Sequence, residues 1–528
     1  MRVGDATGYD YVVIGAGTAG CVLAARLSAD RDTRVLLLEA GSATPVQAAP
    51  MAWQGLLGGS ADWGDTTVTQ SVTGRSLPVS RGLGLGGSSA INGMNHVRGH
   101  RSSYDAWAAH GATRWGFDDL LPYFMRSEDA IVDDPASGRS VSRDPALRGT
   151  GGPMRVGPVP GPSELAAAWV EAGVRLGHPR AADPSGGLEP GFGWWDVNVV
   201  DGVRQSAADA YLRPVLTRDN LRVVTGAFAH RLRLERGRCV GVEYAVDGEL
   251  RSAHADREVV CTAGVFGSAQ LLQLSGIGPA RRLREAGIEV RVDLPGVGAN
   301  LCDHTLAAVV YAAARPVPVV PTKPTAEVVG LVVGDGDLAR PPDLQTLLLT
   351  VPLHVPGIPV PENGFTIAFS GMAPRSRGTV SVAGPDPTRR PLVDPGYYRD
   401  EHDVLIMQEG LRLARELGRA EALAPWREME LFPGPSVHEN DLDAVRGFLF
   451  SGLQSYQHLG GTCRLGTDQD AVVDLDLRVH AVEGLRVADA SVMPSLPSAN
   501  INATVLGIAE RAAELIATST APALSEAT

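Results

Sequence analysis

Residues 11 to 39 hold the pattern that most restricts what this chain can fold into. Tyr11 to Ile14 is an apolar, largely β-branched run. Gly15-Ala-Gly17-Thr-Ala-Gly20 follows, a helix is predicted from about Thr18 to Ala29, and Arg34 to Leu38 reads as a second strand ending in Glu39. Strand, glycine turn, helix and strand in that order make a parallel βαβ unit. Gly15 permits a tight turn, Gly17 lets the backbone approach a pyrophosphate without a Cβ, and Gly20 lets the helix lie close to the sheet. The helix N-terminus offers unpaired N–H groups and a positive dipole end to phosphates. Glu39 can accept hydrogen bonds from an adenosine ribose, and its charge disfavours a 2′-phosphate, which argues against NADP. The spacing alone is a weak signal, but flanking strands and a placed acid make it a strong one.

Two further strand ends separate FAD from NAD. Leu485-Arg-Val-Ala-Asp489 ends a strand in an acid that can hold ribityl hydroxyls, which NAD lacks, and Cys261-Thr-Ala-Gly264 ends another in small residues that let a cofactor lie close. Between these segments the texture changes. Pro153 to Trp195 is rich in Gly, Pro and Trp, strand-like runs return from Leu221 to Val246, and residues 305 to 450 mix Pro-rich loops, a strand at Gly378 to Val382 and a helix at His402 to Leu417. A final helix is predicted over Val505 to Ile516. The expectation is an α/β, Rossmann-like FAD-binding domain built from 1–155, 205–304 and 453–528. An α+β substrate domain on an antiparallel sheet is inserted as 156–204 and 305–452. A length of 528 residues suits two or three domains.

Composition narrows the partners. The net charge is −13, with no long single-sign block. An acidic surface repels a phosphate backbone, so nucleic-acid binding is not expected. The five cysteines are scattered, without CxxC spacing, and read as reduced thiols packed as small apolar groups; no metal site is expected. The longest apolar stretch, Leu306 to Ala314, is too short to span a bilayer, and the first residues show no signal peptide. A cytoplasmic protein is expected, with a frayed tail from Ser519.

Several motifs resemble the glucose-methanol-choline (GMC) family of FAD-dependent oxidoreductases. Arg81-Gly-Leu-Gly-Leu85-Gly-Gly-Ser-Ser-Ala-Ile-Asn92-Gly-Met94 is similar to its first signature, with Leu83 in place of the usual basic residue. Gly264-Val-Phe-Gly-Ser268-Ala-Gln-Leu-Leu-Gln-Leu-Ser275-Gly-Ile-Gly278 is similar to the second, with Val265 and Ala269 for the common Ala and Pro. Asp62-Trp63-Gly64, Arg204-Gln-Ser206, Ala210-Tyr211-Leu212, Leu294-Pro-Gly-Val-Gly298-Ala-Asn-Leu, Pro374-Arg-Ser-Arg-Gly378 and His458-Leu-Gly-Gly-Thr-Cys-Arg464 extend the likeness. With the residue reading, the resemblance places FAD against Gly15, Gly17, Thr18, Ala19, Gly20, Glu39, Ala40, Trp63, Arg81, Gly86, Gly87, Ser88, Asn92, Gly93, Met94, Asn95, Ala229, Ala263, Gly264, Asp489, Ala490, Asn502, Ala503 and Thr504. Some relatives attach the flavin through a His just before the Asn of the Gly-Ser loop; Ile91 stands there, so non-covalent FAD is expected.

The resemblance implies oxidation of a small-molecule alcohol to a carbonyl compound, with oxygen or a quinone-like compound as electron acceptor. It also admits a C–C lyase of the hydroxynitrile type on the same fold. His458 matches the family's catalytic His, and an imidazole suits proton transfer at neutral pH. Ser498-Ala-Asn500-Ile-Asn502 offers two Asn; aligning the helix that follows puts Asn500 beside His458 and Asn502 at the flavin ring edge. His110, His178, His230, His254, His402, His438 and His480 read as surface residues. His96 reads as a satisfied buried His with pocket lining as the alternative, and His354 is a second pocket candidate.

Overall fold

The computed structural model describes residues 8–44, 46, 48–130, 133–134, 139–140, 143–334, 336–337, 340–353 and 360–520. Its first sheet starts from the βαβ unit. Strand Tyr9–Ile14 lies parallel to Val35–Leu38, pairing Tyr11 with Val35 and Ile14 with Leu38, and all four residues of Val35–Leu38 are buried. Leu221–Val224 extends the sheet on one side. The end of Glu249–Cys261, and then Leu485–Val487, extend it on the other, all parallel. Both faces of these strands are covered, so they read as continuous apolar runs. The long strand Glu249–Cys261 also carries, on its first half, an antiparallel meander with Arg238–Val246 and Ala227–Glu235.

Strands from both ends of the chain, Tyr9–Ile14 and Leu485–Val487, thus share one sheet, and the helices close it. Helix Thr18–Leu27 packs against the last helix, Asn502–Thr520. Arg26 donates to both carboxylate oxygens of the fully buried Glu510 at 2.7–3.1 Å, and Tyr211 Oη donates to the same group at 2.8 Å. The last helix begins at Asn502, three residues before the expected start at Val505; Asn502 lines a cavity, while Ala503 and Thr504 are buried away from it.

The second sheet is antiparallel throughout: Gly191–Trp194, Ala326–Val332, Leu344–Leu349, Gly364–Gly371, Thr305–Ala313 and Arg427–Phe432 in spatial order, with Gln454–Ser455 against Thr305. Period-two alternation gives it two different faces. Leu348, Ile367 and Phe369 face helix Glu401–Arg419 and bury Val404, Met407, Leu411 and Ala414. Gly410 lets that helix approach, since a Cβ there would stand 2.4 Å from the Phe369 ring. The opposite face, with Ala326, Leu347, Leu349 and Ala368, turns toward the cavity described below.

A small four-stranded sheet holds a buried ion cluster. Glu128 accepts from Arg98 at 2.6 Å and Arg148 at 2.8 Å, and those guanidiniums keep its buried carboxyl well below the usual range. His96 stands at its rim, buried, with Nε2 3.5 Å from Glu128, and is absent from the cavity wall; its Nδ1 has no partner, so it is buried as expected but not fully satisfied. All five cysteines are buried and free. Of the seven histidines expected at the surface, His110, His254 and His438 are exposed; the other four are half-buried, His178 against Phe192 at 5.2 Å. Solvent-like flanking residues in sequence do not report a neighbouring aromatic from a distant strand.

Candidate active site

One cavity of about 760 Å³ runs from the first glycine turn to the face of the second sheet. At the nucleotide end the wall is mostly backbone. Gly15 has φ +101°, a conformation that side chains resist. A Cβ on Gly20 would sit on the carbonyl oxygen of Gly15, so Gly20 is a packing position, whereas a Cβ on Gly17 would meet nothing within 4 Å. The open side of Gly17 is the cavity itself. Gly86 N donates to Ala16 O at 2.8 Å, which seats the Gly-Ser loop against the turn.

Glu39 ties the two together. Its Oε2 accepts from Ala16 N at 2.8 Å, and its Oε1 accepts from Gly41 N at 2.8 Å and Gly84 N at 3.0 Å. Burial pushes its carboxyl up, while the three amides pull it down. The predicted ribose acceptor is therefore also a clamp, and Oε2 keeps acceptor capacity toward the cavity it lines. Asp489 has the same double character: Oδ2 accepts from Gly264 N at 2.9 Å and Ser268 Oγ at 2.6 Å, and Oδ1 from Ser491 N at 2.8 Å. Arg81 donates to Asp65, which also accepts from Arg390 at 2.8 Å, and both guanidiniums lie over the Trp63 ring.

Twenty of the predicted cofactor residues line this cavity. Gly20, Gly86, Ala503 and Thr504 do not. Gly20 and Gly86 support the turn from behind; Ala503 and Thr504 are buried in the last helix, Thr504 Oγ1 2.8 Å from Tyr104 Oη. Asn502 lines the cavity. Its Oδ1 accepts from Thr18 Oγ1 at 2.9 Å, while its Nδ2 is buried without a partner, a donor left over for a ligand. A glycine cradle, two ribose-height carboxylates and an unused amide donor fit FAD. Ile91 lines the wall at the position of a covalent link and offers no nucleophile.

At the other end stands His458, buried to 8 % exposure. Asn500 Nδ2 lies 3.2 Å from its Nε2, so the predicted pair is in contact. The tautomer follows from the next partners. Tyr456 Oη donates to Gln345 Oε1 at 2.8 Å, so Gln345 Nε2 faces Asn500 Oδ1, at 3.3 Å. That fixes the Asn500 amide with its NH₂ toward His458, and Nε2 of His458 must carry a lone pair. Its Nδ1 stands 3.0 Å from Nδ1 of His304 and holds the proton in that contact. Asp303 accepts from the His458 backbone N–H at 2.9 Å and from Tyr397 Oη at 2.6 Å; burial pushes its carboxyl up to about 6. Burial holds His458 well below the ordinary imidazole range, with His304 adding to the effect, and lowers His304 to about 3. His458 is therefore neutral across the physiological range.

Asp303, His304, Gln345 and Tyr456 were not singled out in the sequence. Asp303 and His304 follow the Leu294-to-Leu301 motif after Cys302, and a Gln amid the apolar Leu344–Leu349 is a buried polar group in need of partners; both were available signals. His354 lies outside the described residues.

The chain matches the GMC oxidoreductase description in two blocks, residues 9–306 and 374–509. It belongs to the GMC oxidoreductase family. It is 37 % identical to the mitochondrial choline dehydrogenase of Homo sapiens over 544 residues, covering 96 % of this chain and 89 % of that protein. Among solved structures it superposes on pyridoxine 4-oxidase from Mesorbium loti with a TM-score of 0.89, at 37 % identity, covering 96 % of this chain and 99 % of that one. A formate oxidase from Aspergillus oryzae, studied for modification of its FAD, gives 0.88 at 27 % identity, covering 98 % and 99 %. This GMC oxidoreductase is an FAD-dependent enzyme acting on CH–OH donors, and FAD is its cofactor.

Proposed function

We propose that the chain oxidises an alcohol to a carbonyl compound, with His458 taking the hydroxyl proton. The observation that carries this is the orientation of His458. Its Nε2 lone pair is fixed by Asn500, its Nδ1–H is engaged by His304, and it lines the same cavity as the dinucleotide turn. Bound FAD supplies the acceptor for the hydride that leaves the carbinol carbon. A substrate hydroxyl in the cavity displaces the Asn500 amide from Nε2 and donates there itself, while the released amide donates to the substrate oxygen and orients it. Burial keeps water from competing for Nε2 and keeps His458 unprotonated before substrate arrives. The N-terminus of helix Asn502–Thr520 meets the cavity at Asn502 and favours negative charge there.

The proposed division of labour assigns 1–155, 205–304 and 453–528 to FAD binding. The substrate domain is then 156–204 and 305–452, which contribute six strands of the antiparallel sheet. FAD is proposed to be non-covalent, supported by Ile91. A cytoplasmic place is proposed on the five buried free thiols, and cell fractionation tests it. The relatives named as a dehydrogenase and as oxidases favour redox chemistry over a C–C lyase.

Anaerobic addition of an alcohol panel to the yellow protein tests the reading: alcohols that are substrates bleach the flavin, and a lyase leaves it coloured. Peroxide release under turnover distinguishes oxygen from a quinone-like acceptor. Acid precipitation should leave FAD in the supernatant.

A further inference from the structure

We infer that the alcohol accepted beside His458 is uncharged and has an apolar body, aliphatic or a single aromatic ring, and that a quaternary ammonium alcohol such as choline is disfavoured. This rests on the proposed alcohol oxidation at His458. The cavity face of the second sheet and the segment before it contribute Trp53, Leu306, Ala326, Leu347, Leu349 and Ala368 to the wall. Five of the six have no polar side-chain atom. The sixth, Trp53, has its one donor committed to Thr325 Oγ1 at 3.0 Å.

The charges in the wall are already used. Among the described residues three carboxylates line the cavity, and all stand among nucleotide-end residues. Glu39 holds three amides, Asp489 holds two amides and a hydroxyl, and Asp65 is shared by Arg81 and Arg390. Asp303 is not a wall residue, and its oxygens receive His458 N–H, Ser455 Oγ and Tyr397 Oη. The segment 354–359, outside the described residues, contains no Asp or Glu in its sequence.

An aromatic cage could replace a carboxylate, because a cation is attracted to ring faces. The faces are also used. Tyr456 packs on His458 with ring centroids 4.1 Å apart, and Trp63 carries the guanidiniums of Arg81 and Arg390. Trp53 alone does not make a cage. A quaternary ammonium would lose its water and gain no countercharge, whereas an apolar body gains from burial.

The test is anaerobic stopped-flow reduction of the FAD-loaded chain by 1-hexanol, benzyl alcohol and choline. The second-order rate constant for the better of the first two should exceed that of choline by about 100-fold. Choline matching it overturns the inference and leaves alcohol oxidation standing. Bleaching by none of the three removes alcohol oxidation itself. In that event the inference is read from perturbation of the oxidised-flavin spectrum: tighter binding of benzyl alcohol than of choline upholds it, and the reverse overturns it. Leu306→Glu supplies the missing countercharge from a half-buried position on the strand that leaves His304. It should raise the choline-to-benzyl-alcohol ratio roughly tenfold. A yellow, folded Leu306→Glu with an unchanged ratio overturns charge as the discriminating feature.

Discussion

The two sheets present the cavity with walls of different kinds. The nucleotide end is built from backbone: positive-φ glycines, amides aimed at Glu39 and Asp489, and a helix N-terminus. The other end is built from side chains that alternate along strands far apart in sequence, so Leu347 faces the cavity while Leu348 faces helix Glu401–Arg419. A backbone wall needs particular residues at fixed spacing and tolerates little change. A side-chain wall needs only apolar volume at alternate positions and can be re-lined for another substrate without disturbing the cofactor.

Substitutions at neighbouring positions sharpen this contrast. At the nucleotide end, Gly20→Ala should abolish folding of the turn and with it flavin binding, because its Cβ lands on the Gly15 carbonyl. Gly17→Ala should keep the apoprotein's melting temperature and lose FAD affinity, read by flavin titration. Equal stability of the two variants would break the distinction between packing and cradle glycines. On the second sheet, Leu348→Ala should cost roughly 2–5 kcal/mol in denaturant unfolding and leave the flavin spectrum unchanged. Leu347→Ala should cost less and alter KM for the alcohol; a reversed pattern would mean that the faces are misassigned.

Much of the backbone wall was legible, because its chemistry is local. Gly15, Gly17, Gly20 and Glu39 declare themselves within one βαβ unit, and Asp489 stands at a strand end. His458 and Asn500 were reached through the family resemblance. His304 was not, since nothing in spacing joins residues 154 positions apart, and their contact exists only because Thr305 pairs with Ser455. Gln345 was hidden in the same way: its partners, Tyr456 and Asn500, come from two other segments. The last helix was placed three residues late because its opening residues, Asn502, Ala503 and Thr504, include no large apolar side chain to carry the periodicity.

Gln345 offers a smaller test of how the side-chain wall serves chemistry. Gln345→Ala frees the Asn500 amide to rotate and should slow anaerobic flavin reduction roughly tenfold, with FAD affinity unchanged. Gln345→Glu keeps an acceptor for Tyr456 and removes the donor to Asn500, so it should resemble Ala; activity near wild type would show that Asn500 is held by other means. Smaller again is the pH dependence of stability. His458 and His304 have depressed folded-state pKa values, so their contribution is fully present above pH 6.5, and the unfolded chain takes up their protons as pH falls below it. Asp303, raised to about 6, takes up a proton in the folded state and offsets one of them below that pH. As pH falls below 6.5 this trio should therefore lower stability on balance, since the unfolded chain takes up two protons for the one that folded Asp303 takes up. His304→Asn should flatten that slope in urea unfolding.

The central claim is that His458 takes the alcohol's proton, and the anaerobic reduction rate of His458→Ala with a good substrate measures it most directly. The variant should stay folded and yellow, since the FAD cradle lies at the other end of the cavity, and should reduce its flavin about 10²–10⁴-fold more slowly than wild type. The wild-type rate should stay level through pH 6.5 and fall only well below it, where the buried His458 is protonated before substrate binds. A His458→Ala protein that reduces its flavin within a few-fold of wild type would contradict the account, and the base would have to be sought elsewhere in the cavity.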